Sequence, residues 1–186
     1  MPFPFASFFP RRGLLACAAL AAGTAGAHVV LEHQAAPAGS SYKATFKVGH
    51  GCGTSATRQI VVEIPAGVRG AHPMPKPGWQ LAIERAPLPQ PETDHGRTVT
   101  EDVARITWTA KTREDMLPNA HYDEFVLVAR LPAQAGSLYW PVRQVCEEGR
   151  NDWVEVPKPG QKRSDLKSPA ALLELLPTGQ AGEHRH

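Results

Sequence analysis

The sequence predicts an all-β fold, a β-sandwich, preceded by a removable leader. Three observations carry this. First, roughly eight short runs are rich in β-branched, aromatic and alternating residues, at 29–31, 42–48, 59–64, 80–83, 103–108, 124–131, 138–142 and 153–156. Second, turn clusters separate them, among them Pro37-Ala-Gly-Ser40, Gly49-His-Gly-Cys-Gly53, Pro65-Ala-Gly67, Pro73-Met-Pro-Lys-Pro-Gly78, Pro132-Ala-Gln-Ala-Gly136 and Pro157-Lys-Pro-Gly160. Third, helical periodicity is absent except over 168–176, a short stretch ended by Pro177 that reads equally as a final strand or a helical turn. Short strands punctuated in this way build sandwiches, because each strand buries one face against a second sheet.

The length, 186 residues with 42% hydrophobic content, fits one domain of ordinary size. With 20 Lys+Arg against 18 Asp+Glu, the chain lacks the basic excess of a nucleic-acid binder. Its three cysteines leave one over if two pair.

Residues 1–27 read as a signal peptide. Arg11 and Arg12 supply the positive region, 14–22 an apolar run, and Ala25-Gly-Ala27 the small-x-small cleavage pattern. The apolar run is much shorter than the roughly 20 residues that span a bilayer, so export and not a membrane span is expected. Leu14-Leu-Ala-Cys17 resembles a lipobox, but most of the apolar region follows Cys17 instead of preceding it. The Arg pair leaves the choice between the Sec and Tat routes open. Cleavage after Ala27 removes Cys17 and both arginines, which leaves Cys52 and Cys146 as an even pair and the mature domain formally neutral. In the periplasm or outside the cell such a pair oxidises. A Cys52–Cys146 disulfide would contribute about 4–5 kcal/mol in the chain-entropy model. The rival use of these thiols is a metal site with His50.

Cleavage also makes His28 the first residue. Its α-amine and imidazole Nδ1 can then close a six-membered chelate on one ion. An amine of pKa about 7.7–8.0 and an imidazole of about 6.5 lose their protons cheaply near neutrality. Two such nitrogens suit Cu(II), which tops the divalent affinity series. Met74 and Met116 make no thioether cluster of the kind a Cu(I) carrier wants.

From His28-Val-Val-Leu-Glu32 through 36–52, the chain resembles the bacterial YcnI-like family. The resemblance continues in Val62-Glu-Ile-Pro-Ala-Gly-Val68, Pro73-Met-Pro-Lys-Pro-Gly-Trp79, Tyr122-Asp-Glu-Phe125, Leu138-Tyr-Trp-Pro-Val142, Gln144-Val-Cys146 and Trp153-Val-Glu-Val-Pro157. It implies an exported copper-binding domain over 28–177, with an immunoglobulin- or fibronectin-like sandwich, followed by a polar tail at 178–186. It further implies a copper(II) site built on a single-histidine brace, completed by a carboxylate and a nearby tryptophan. The protein would be a copper chaperone, buffer or sensor, with periplasmic or membrane copper-handling proteins as partners.

His28 and, for the tryptophan, Trp153 match these roles, while the carboxylate stays open. Glu124 heads a predicted strand. Glu32 lies four residues after His28, about 13 Å away along a regular strand, so it would need a sharp bend to share an ion. Glu63 ranks below both. Trp108 and Trp140 are expected in the core, and Trp79 against Pro-rich turns. Of the other histidines, His33 falls on the face opposite His28, His50 lies in a Gly-rich turn, and His72, His95 and His121 read as solvated loop residues. His184 and His186 offer at most a loose accessory site.

No nucleophile elbow, phosphate loop, His-Glu-x-x-His or dinucleotide fingerprint is present, so no enzyme is expected. The alternatives are a copper-dependent oxidative enzyme, in which His50, His72, His95 or His121 supplies a second brace histidine, and a metal-free exported scaffold module.

Overall fold

In the computed structural model, which describes residues 28–94 and 96–178, twelve strands and one short 3-10 turn form the domain. The predicted signal peptide, Cys17, His95 and the tail from 179 onward lie outside the described residues. The strands are β1 (Val30–Leu31), β2 (Ala35–Pro37), β3 (Ser41–Val48), β4 (Thr57–Glu63), β5 (Arg69–Pro73) and β6 (Trp79–Asp94). They continue with β7 (Arg97–Ala110), β8 (Asp123–Arg130), β9 (Gly136–Trp140), β10 (Val142–Cys146), β11 (Arg150–Trp153) and β12 (Ala171–Leu176).

One sheet has the order β1-β3-β8-β5 and the other β11-β10-β4-β7-β6. A small third sheet, β2-β12-β9, closes one side, with β12 parallel to β2 and antiparallel to β9. Alternation explains the layering. On β3, Tyr42, Ala44, Phe46 and Val48 point inward, and on β8 Phe125, Leu127 and Ala129 do the same. Ile60 and Val62 of β4, Ile106 and Trp108 of β7 and Val142 of β10 meet them from the second sheet. The intervening residues of that sheet, including Gln59, Gln80, Thr107 and Thr109, line its polar outer face.

The strand pattern is broader than the sequence predicts. The stretch left open at 168–176 ends in strand β12. The predicted run 138–142 divides at Pro141 into β9 and β10, which belong to different sheets. Proline lacks the N–H that a continuing ladder needs, so the chain changes sheets there. The runs 80–83 and 103–108 are parts of a long hairpin, β6–β7. This hairpin is clasped to β5 by Arg69, whose guanidinium donates to the Glu92 carboxylate at 2.6–3.0 Å, and by the Gly70 N–H, which donates to Asp102 at 2.9 Å.

Trp108 and Trp140 are fully buried, as predicted. Trp79 is a correction: only 6% exposed, it packs edge-on against Phe125 at 5.0 Å, inside the core and not on the Pro-rich turn. It opens β6, and the half-buried Leu81 two residues on packs against the same core.

Candidate functional site

The disulfide joins the loop after β3 to the end of β10. Cys52 and Cys146 are bonded, with Cα atoms 5.9 Å apart across a separation of 94 residues. The rival thiolate site therefore gives way, since neither sulfur is free to ligate.

His28 stands immediately before β1. Behind it, Val29 and Leu31 are buried in the core, and β1 pairs with β3 through Val30↔Lys47 and Leu31↔Phe46. This anchoring fixes where the half-buried His28 emerges. Its ring meets the Trp153 indole, with ring centroids 4.9 Å apart and planes tilted by 59°. Trp153 closes β11 and pairs with Val142 of β10. His28 leads into β1 and Trp153 ends β11, the edge strands of two different sheets, and the pair sits where those two edges meet.

The indole is held from below. Trp153 is 8% exposed, and its Nε1–H donates to Gln144 Oε1 at 3.4 Å. Gln144 is buried at an inward position of β10, between Val142 and Cys146, where the alternation calls for an apolar side chain. A buried amide left without partners would cost about 1–3 kcal/mol. Here all its capacity is used. Nε2 donates to the His50 carbonyl and to Thr57 Oγ1 at 2.7 Å, while Oε1 also accepts from Asn151 Nδ2 at 3.1 Å.

The two candidate carboxylates gather elsewhere on the same sheet. Val30, Lys47 and Glu124 lie in one cross-strand row, so Lys47 separates Glu124 from β1. Glu32 continues past β1, its N–H donating to the Thr45 carbonyl at 3.0 Å. Glu124 accepts from the Tyr122 hydroxyl. That phenol is pushed up to about 12, by desolvation first, then by the Glu124 hydrogen bond and the charges of Glu124, Glu32 and Asp123. Glu32 and Glu124 therefore both bear on Tyr122. Among the described residues, no group of three or more His, Cys, Asp and Glu is arranged to hold a metal ion. The His28 imidazole stands beside the Trp153 face.

The remaining candidates have other roles. Glu63 accepts from Arg105 at 2.9 Å and Arg143 at 2.7 Å on the outer face of the larger sheet. His33 is exposed, and its carbonyl accepts from the Tyr42 hydroxyl. His72 is exposed on β5, a strand and not a loop, and His121 is exposed in the loop before β8. Sequence reasoning passed over Gln144 and Tyr122. A polar residue at an inward position of Val142-x-Gln144-x-Cys146 was the available signal for the first.

These features define an immunoglobulin-like sandwich with one disulfide. The chain aligns with a crystal structure from Nocardia farcinica, described as an uncharacterized protein with an immunoglobulin-like fold. The alignment has a TM-score of 0.60 and 25% identity, and covers 80% of this chain and 97% of the other. Residues 28–175 match the family model described as a domain of unknown function, DUF1775, and the chain belongs to that family. No curated protein matches it.

Proposed function

We propose that this is an exported copper(II)-binding protein of the YcnI-like type, a carrier, buffer or sensor of copper and not an enzyme. The observation that carries the reading is the His28 imidazole set against the buried Trp153 indole, 4.9 Å away, at the head of the domain. The family match opens at His28 itself, which agrees with processing after Ala27. After that cleavage the residue carries a free amine next to its imidazole, and this donor pair suits Cu(II) chemically. The neighbouring indole supplies an apolar wall that limits water at one side of the ion. Glu32 or Glu124, or water, would complete the coordination.

The disulfide fits the oxidising compartment this function needs. No described helix is long and apolar enough to cross a membrane.

Isothermal titration of two processed chains tests the proposal. A chain beginning at His28 is expected to bind one Cu(II) tightly. A chain with one alanine placed before His28 has an amide where the amine should be and is expected to lose that site. Equal affinities would contradict the amine's role, and no tight binding by either chain would leave the scaffold alternative.

A further inference from the structure

A continuous path of contacts runs from the disulfide to His28. Thr57 Oγ1 accepts from Gln144 Nε2 at 2.7 Å and lies 3.9 Å from Cys146 Sγ, a disulfide sulfur that can only accept from it. Gln144 Nε2 also holds the carbonyl of His50, two residues before Cys52. On its other side, Gln144 Oε1 takes the Trp153 Nε1–H, and the Trp153 ring faces His28. Thr57 is 0% and Gln144 1% exposed, so no bulk water competes for these bonds. Low dielectric strengthens such a network and makes each partner costly to remove.

We propose that Gln144 is a positioning residue for the His28 site. It orients the Trp153 indole against the imidazole, and it is itself fixed by the disulfide-bonded loop. A tryptophan has one N–H donor, so an acceptor at a fixed point sets the rotation of its ring. Without that acceptor the buried N–H turns to seek another partner, and the face presented to His28 is lost. The consequence for copper rests on the function proposed above. The consequence for the metal-free protein does not.

The experiment uses processed chains carrying Gln144→Met, Gln144→Glu and Trp153→Leu, and the double variant Q144M/W153L. In the metal-free state, nuclear magnetic resonance reads the His28 ring protons, which the indole displaces by its ring current. Q144M is expected to move these signals toward their positions in W153L, with the disulfide and circular dichroism retained. Q144E, which burial keeps protonated, retains an acceptor for the indole and is expected to hold the wild-type positions. Copper affinity should fall about 10- to 100-fold in Q144M, the usual effect of losing a residue that orients a metal site. Q144M/W153L should bind no more weakly than W153L alone. Wild-type His28 signals in Q144M, or additive losses in the double variant, would overturn the proposal. If Q144M fails to fold, Q144E decides, because His28 signals displaced as in W153L would overturn it equally. If the wild-type chain binds no copper, the functional reading fails, while the metal-free signals still test Gln144.

Discussion

Tyr42 shows how one side chain can serve both the core and the approach to the site. Its ring is buried among the inward residues of β3, and its hydroxyl donates to the His33 carbonyl just beyond β1. Burial, and then the Glu32 charge, push the phenol up from 10.0 to about 12. The neutral phenol is therefore favoured in the folded state. Its contribution to stability is fully present below pH 10 and is lost as pH rises through about 12. Denaturant midpoints measured across that range should fall less steeply in Tyr42→Phe than in the wild type, and an unchanged slope would contradict this. Some residues were legible and others not, for definite reasons. His28 could be singled out because the chemistry proposed for it depends only on the predicted cleavage site. Trp153 needed the family resemblance, since sequence cannot show which strand end faces His28. Trp79 was misplaced because its Pro-rich flank outweighed its position at the start of a strand, where it packs on Phe125. Gln144 was hidden by its type: its value lies in four partners that converge only in the folded chain.

At the level of strands, the period-two pattern located most of the residues of β3, β4 and β8 and the middle of β7. It failed where sheet edges relax the rules. β6 carries Pro87, Pro89 and Pro91, which argue against a strand, yet β6 is the outer strand of its sheet and needs ladder partners on one side only. Three-residue β2 is too short to leave a periodic signal, whereas the run at 29–31 marked β1. Cysteine counting, by contrast, predicted the covalent link correctly, because only Cys52 and Cys146 lie outside the predicted leader. The bond ties the loop after β3 to the last inward residue of β10. Cys52→Ser/Cys146→Ser should lower unfolding free energy by about 2–5 kcal/mol in chemical denaturation. A value near zero would show that the β10 register is held without it.

On the scale of the whole molecule, the sandwich brings together two edges that are distant in sequence. β1 borders one sheet and β11 the other, and His28 and Trp153 meet across that junction. The sheet class was readable from the sequence, whereas this junction was not, because strand order is a long-range property. The same topology separates Glu124 from β1 by the whole of β3. Glu124, one of the two candidate carboxylates, is thus held away from the strand that follows His28. The central claim is that copper is held by the amine and imidazole of one histidine. Electron paramagnetic resonance of the processed chain loaded with one equivalent of Cu(II) tests it most directly. Hyperfine structure from two nitrogens, both changed by isotopic labelling of histidine, is the expected result. A third nitrogen would contradict the single-histidine site and point to a second brace histidine, the arrangement of a copper-dependent oxidative enzyme.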